Sequence, residues 1–220
     1  DVLIIGGGLT GLLCAYMLKN AGVDCILAEA GRICSGITRN TTAKITFAHG
    51  LLYDKLIKRF GQEPARLYLE AQLRAAEHYA CLCKEIPCDY ESKDSYVYSL
   101  DDRKKIEREI EALNRLGVPA EFSETPLLPI RTAGAVCVRN QAQFHPLKFA
   151  FALAKELPVY ENTKVQELLP GKAITQYGEI AFRKAIVATH FPILNKHGGY
   201  FLKLYQHRSY VIALKNAPTV

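Results

Sequence analysis

Residues 2 to 29 constrain this chain most: an apolar run, a glycine-rich turn, a helical stretch and a second apolar run ending in an acid follow one another without interruption. Val2 to Ile5 is short and unalternated, the pattern of a strand buried on both faces of a parallel sheet. Gly6, Gly8 and Gly11 give the spacing G-x-G-x-x-G: the first for a tight turn, the second so that backbone can approach a phosphate, the third so that helix and strand pack closely. Leu12, Leu13, Ala15, Tyr16 and Leu18 keep helical spacing from Leu9 to Asn20. The free N–H groups and positive dipole end of that helix, with Leu9 and Thr10, therefore face the turn, where an anionic pyrophosphate is stabilised. Asp24 to Ala28 reads as the second strand, and Glu29 falls at its carboxyl end, where a carboxylate accepts hydrogen bonds from ribose hydroxyls. Together these predict a dinucleotide site. Glu29 puts negative charge where a ribose 2′-phosphate would sit, and no arginine follows it directly, which disfavours NADP.

The residues after Glu29 separate FAD from NAD. Ala30-Gly31-Arg32-Ile33-Cys34-Ser35-Gly36 and Thr38 to Lys44 form a long loop of small and polar residues, where an ordinary NAD domain goes straight into its next helix. With this loop, Val2 to Glu29 resembles the FAD-dependent oxidoreductases of the D-amino-acid oxidase and glycine oxidase superfamily. The resemblance implies that the loop runs beneath the pyrophosphate and ribityl chain toward the flavin, through Ala30, Arg32, Thr41, Thr42, Ala43 and Lys44. Val159 to Val165 is similar to the family's third nucleotide-domain strand and the segment after it, which implies a backbone contact from Val165 to adenine. Lys184 to His190 is similar to the strand that returns beside the cofactor, which assigns Ala188 and Thr189 to that contact. Thr41 to Thr46, Gln143 to Lys148 and Ala188 to Pro192 resemble the bacterial γ-glutamylputrescine-oxidase-like flavoproteins, many of which carry a Rieske iron-sulfur domain at their far end.

That resemblance implies FAD as cofactor and a small-molecule amine or amino acid as substrate, its C–N bond oxidised by hydride transfer to flavin N5. Lys44 is the candidate for tuning the reduced flavin, with a phosphate contact or a surface position as its other readings. His49 and His145 are candidates for orienting or proton-accepting groups, and Tyr96, Tyr98, Tyr205 and Tyr210 for substrate contacts, although structural roles are commoner for both residue types. The electron acceptor would be oxygen, a quinone, or an iron-sulfur domain or protein. Two other readings stand beside this one: a cofactor-binding module without turnover until joined to a further segment, and an NAD-linked dehydrogenase, against which the long loop argues.

The expected fold class is α/β: a Rossmann-like FAD-binding domain with an inserted antiparallel substrate lobe, its C-terminal part missing. Residues 1–86 and 141–196 are assigned to the FAD-binding domain and 87–140 and 197–220 to the lobe. The chain has 220 residues, begins on its first strand and stops after a strand-like run, Ser209 to Leu214, whereas complete superfamily members are longer. From Ile180 to Val220 there is no Asp or Glu, so the whole formal net charge of +6 lies in that stretch. It reads as a surface facing an acidic segment beyond this sequence, or as an electropositive wall for an anionic ligand. Charge is balanced elsewhere and the basic residues form no run on one helix, which argues against nucleic acid. No apolar stretch reaches the length that spans a bilayer. Seven cysteines, an odd number set mostly within apolar elements, favour reduced thiols and a cytoplasmic setting. Cys81, Cys83 and Cys88 have neither zinc nor Rieske spacing and read as structural, so no metal site is expected.

Within the lobe and its approaches, Gln62 to Lys84 reads as a long helix and Pro87 to Leu100 as strands. Asp101 is expected to cap a solvated surface helix over Asp102 to Leu116. Val118 to Phe122 and Thr132 to Val138 read as further strands, Pro146 to Leu157 as a helix, and Tyr200 to Leu214 as a return to the substrate sheet.

Overall fold

The computed structural model describes residues 1–124, 130–193, 199–207 and 210. In chain order its strands and helices are β1 (Val2–Ile5), α1 (Leu9–Asn20), β2 (Cys25–Ala28), a 3₁₀ turn (Ile37–Asn40), β3 (Lys44–Ile45), α2 (Tyr53–Phe60), α3 (Gln62–Glu85), β4 (Glu91–Ser99), α4 (Arg103–Arg115), β5 (Glu121–Ser123) and β6 (Gly134–Gln143). There follow α5 (Pro146–Ala154), β7 (Val159–Tyr160), β8 (Val165–Leu169), β9 (Lys172–Thr175), β10 (Gly178–Ala181), β11 (Lys184–Val187) and α6 (Tyr200–Lys203). These elements form two compact units, Asp1–Thr42 with the described residues from Pro146 onward, and Ala43–His145.

The first unit is built on a parallel sheet of order β11-β1-β2-β7. Its strands are apolar on both faces because both are covered. Val2, Ile4, Cys25 and Leu27 pack with Leu12 and Ala15 of α1 and Ala150 of α5. Leu3, Ile5 and Ala28 pack on the other side with Val165 and Ala173 of the antiparallel sheet β10-β9-β8. A mixed α/β fold with a Rossmann-like parallel sheet is thus present, and β1 and α1 keep their expected bounds.

In the second unit β6 pairs antiparallel with β4 along one side and with β5 and β3 along the other. Val136 and Val138 on β6 pack with Tyr53, Leu69, Ile106 and Leu113 from the three helices. The helices α2 and α3 belong to this compact unit, so residues 43–86, assigned on sequence to the FAD-binding part, are grouped here with the sheet-rich segment.

Several local expectations differ from the structure. Asp102, not Asp101, caps α4, its carboxylate accepting the Lys105 N–H at 2.9 Å, while Asp101 accepts the Ser99 hydroxyl. The face of α4 is not only solvated: Glu109 is buried at 2% exposure. Its Oε1 accepts the N–H groups of Leu52 and Tyr53 at 2.8 and 2.7 Å, and its Oε2 that of Asp54 at 3.0 Å. A carboxylate from a distant helix therefore satisfies the N-terminal amides of α2, which has no cap of its own. Residues 87–100 supply one strand, and Tyr200–Lys203 form a helical turn begun at Gly199 instead of a strand. The expected run Ser209 to Leu214 lies, apart from Tyr210, outside the described residues. Among the described residues no helix is long and apolar enough to cross a membrane.

Candidate functional site

The β1–α1 turn, the end of β2, the loop after it and the end of β11 enclose a cavity of about 820 Å³. That size is within the range of small-molecule sites. The walls belong to the first unit throughout. Of the residues singled out on sequence, Gly6, Gly8, Leu9, Thr10, Glu29, Ala30, Arg32, Thr41, Val165, Ala188 and Thr189 line it.

The register of the parallel sheet brings them together. Ile5 stands opposite both Ala28 and Val187, so the turn after β1, Glu29 after β2 and Ala188 after β11 all emerge at the same end. This is the carboxyl end, where ligands bind in open α/β sheets. Two glycines make the crossing possible. A Cβ on Gly6, whose φ is +111°, would lie 2.5 Å from the Ala188 carbonyl oxygen, and one on Gly11 would lie 1.9 Å from the Gly6 carbonyl oxygen. Gly11 is thus a packing glycine behind the turn and does not itself line the cavity.

The start of α1 suits an anion. Gly8 offers no side-chain cap, and no acidic residue lies in the first turn to offset the helix dipole. The Leu9 N–H reaches the Thr38 hydroxyl at 3.3 Å, from the 3₁₀ turn. Glu29 Oε2 accepts the Gly7 N–H at 2.7 Å and its Oε1 the Gly31 N–H at 2.8 Å, so the acid closes the turn while it faces the cavity. Its main chain is fixed in turn: the Thr163 N–H reaches the Glu29 carbonyl at 2.7 Å and the Glu29 N–H reaches the Tyr160 carbonyl at 2.9 Å.

The cavity also has walls that sequence reasoning left unassigned, including Cys34, Thr38, Thr163, Lys164 and His190. Cys34 is 4% exposed and adopts φ +58°. Burial, above all, pushes its thiol up to about 11, the Thr38 hydroxyl pulling the other way and the Glu29 carboxylate adding to the rise. A positive φ at a cysteine has no signature in the sequence. Thr38 belongs to the loop after Glu29, and its place beside α1 follows from a 3₁₀ turn that no local motif announces.

Besides Gly11, several candidates lie outside these walls. Thr42 is exposed at the end of the first unit's opening segment, and Ala43, Lys44 and His49 belong to the second unit. Lys44 begins β3 opposite Gln143, and its side chain and that of His49 are exposed. The His145 N–H donates to the Cys88 carbonyl. Tyr96 and Tyr98 are on β4, whereas Tyr205 and Tyr210 are largely exposed and on no strand. All seven cysteines are free, and burial pushes the Cys83 thiol up to about 12, with neighbouring Cys88 adding to the rise. Among the described residues no group of three or more His, Cys, Asp or Glu is placed to hold a metal ion.

Residues 1–220 match the family described as FAD dependent oxidoreductase. A protein of Bacillus subtilis named as a Rieske 2Fe-2S iron-sulfur protein, YhfW, is 36% identical over 98% of this chain and 45% of its own length. The gamma-glutamylputrescine oxidoreductase of Escherichia coli is 27% identical over 86% of this chain and 48% of its own length. Among solved structures, L-proline dehydrogenase from P. horikoshii superposes with a TM-score of 0.68 at 21% identity, over 86% of this chain and 52% of the other. The chain thus spans about half the length of the relatives it matches.

Proposed function

Since the chain belongs to this family of FAD-dependent oxidoreductases, we propose that its cavity holds FAD and that the protein oxidises the C–N bond of a small amine or amino acid. The observation that carries this reading is the convergence on one cavity of the capless start of α1, the Gly6 turn that Gly11 packs behind, and Glu29. The donor set fits the group. Backbone amides at the start of α1 suit the pyrophosphate, and the Glu29 carboxylate, with lone pairs beyond those taken by Gly7 and Gly31, suits ribose hydroxyls. Val165 suits adenine through its backbone, and Arg32, Thr41, Ala188 and Thr189 suit the stretch toward the flavin.

When bound, FAD supplies a two-electron oxidation, in our reading by accepting hydride from the carbon beside nitrogen. The chain's own residues would hold and orient it: β1 and β2 fix the turn, α1 contributes its dipole, and Ile5, Ala28 and Val165 supply buried apolar contacts. Lys44 and His49 are kept as candidates for the reacting end, alongside Thr42 and Ala43 for the cofactor. The substrate class rests on the relatives, which include a gamma-glutamylputrescine oxidoreductase and an L-proline dehydrogenase. The relative named for a Rieske protein favours an iron-sulfur domain or protein as electron acceptor. Seven free cysteines support a reducing compartment, the cytoplasm.

The test is anaerobic reduction of the FAD-loaded protein by a panel of amines, polyamines and amino acids. Bleaching of the flavin by one of them supports the assignment; bleaching by NADH alone would replace the substrate class with a nicotinamide-linked reaction.

A further inference from the structure

Gly7 lies between Gly6 and Gly8, lines the cavity with them, and has both of its peptide units gripped. On one side its N–H donates to Glu29 Oε2 at 2.7 Å. On the other its carbonyl accepts twice from Cys34, from the backbone N–H at 2.9 Å and from the thiol at 3.6 Å. A peptide unit is planar and trans, so the Gly7 carbonyl and the Gly8 N–H point in opposite directions across one rigid plate. Fixing the first fixes the second. Gly8 heads α1, so the orientation of this plate sets where the first amide of the anion site aims.

Three features indicate that the contact is more than incidental packing. Cys34 lines the same cavity as Gly7 and Gly8. It holds φ +58°, a region that a residue with a Cβ adopts at a cost, and the surrounding bonds maintain it there. Its thiol also lies in hydrogen-bonding reach of Thr38, whose hydroxyl takes the Leu9 N–H at 3.3 Å, so two consecutive positions at the head of α1 are tied to one loop. A Cβ at Gly7 would meet Ile33 Cγ2 at 2.8 Å and Glu29 Cβ at 3.0 Å, so this position is closely packed.

We propose that Cys34 is a positioning residue for the phosphate turn: by donating twice to the Gly7 carbonyl it orients the Gly7–Gly8 peptide for the pyrophosphate of FAD. The inference rests on the cofactor reading above. The thiol must keep its proton to act as donor, and burial beside the Glu29 carboxylate favours the protonated form.

The experiment compares the full chain with C34S, C34A and C34G, measuring the FAD dissociation constant by quenching of flavin fluorescence and the two phosphorus resonances of bound FAD by ³¹P NMR. C34S keeps a donor and should bind within about twofold of the parent. C34A loses it and should bind about two- to fivefold more weakly, in keeping with one weak hydrogen bond, with displaced phosphorus resonances. C34G separates steering from strain, because glycine accepts φ +58° better than cysteine does. If the thiol steers, C34G weakens binding as C34A does; if Cys34 only occupies a strained position, C34G binds as well as the parent or better, which overturns the proposal. Parent-like affinity and resonances in C34A overturn it too. A parent chain that takes up no FAD removes the cofactor reading and this inference with it, whereas FAD uptake equal in all four proteins removes the inference alone.

Discussion

The buried carboxylate of Glu109 accepts the backbone N–H of Tyr53 at 2.7 Å, joining the middle of α4 to the first turn of α2. With the amides of Leu52 and Asp54 it satisfies three donors that α2 leaves unpaired. E109A strands all three in a buried place and should lower stability by about 2 to 4 kcal/mol in chemical denaturation. E109Q, which keeps one acceptor oxygen, should fall between. FAD affinity should not change in either variant, because the cavity is walled by the other unit.

Glu29 joins the turn to the loop by accepting from Gly7 and Gly31. In E29Q one accepting oxygen becomes an amide N–H₂ that faces a backbone N–H, and a ribose acceptor is lost as well. FAD affinity should drop by about tenfold or more, as expected for a hydrogen bond to a charged group, with the dissociation constant as readout.

The raised Cys34 thiol gives a pH dependence of known sign. Its folded value of about 11 lies above the ordinary 9.0, so folding favours the protonated thiol. That contribution is full below pH 9 and is lost as pH rises from 9 through about 11. Denaturation midpoints across this window should fall more steeply for the parent than for C34S, which has no thiol to ionise there.

Gly11 has no room for a methyl group: its Cβ would lie 1.9 Å from a backbone oxygen. G11A should cost at least about 3 kcal/mol, since backbone cannot yield as a side-chain tip can. G22A meets open space at φ +71° and should cost only the left-handed backbone term, about 1 to 2 kcal/mol. Thermal unfolding of the two variants tests the contrast.

Val2 to Glu29 could be read from sequence because each signal there is local: an apolar run, glycines at fixed spacing, helical periodicity and an acid at a strand end. The strand at Lys184 to His190 was legible only through its family resemblance, and its register beside β1 comes from the structure. Capping of α2 by Glu109 was not legible, because its partners lie more than fifty positions away and Glu is an ordinary residue in a helix whose charge pattern reads as solvated. Asp101 and Asp102 are chemically equal, and only the geometry of the turn selects the second. Tyr200–Lys203 has aromatic residues that suit a strand, yet the chain closes a turn there, the Leu204 N–H reaching the Tyr200 carbonyl at 3.0 Å. In the site, residues contiguous with the glycine motif or its strands were found, while Cys34 and Thr38 depend on a loop conformation set by contacts across the cavity.

FAD binding in this cavity is tested most directly by the visible absorption spectrum of the purified chain, before and after incubation with FAD, with the released cofactor identified after denaturation. Flavin bands should stay with the protein through gel filtration, the released species should be FAD, and the bands should be lost in E29Q at low cofactor concentration. A well-folded parent chain that stays colourless with FAD in excess, or that takes up NAD in its place, would contradict the FAD assignment.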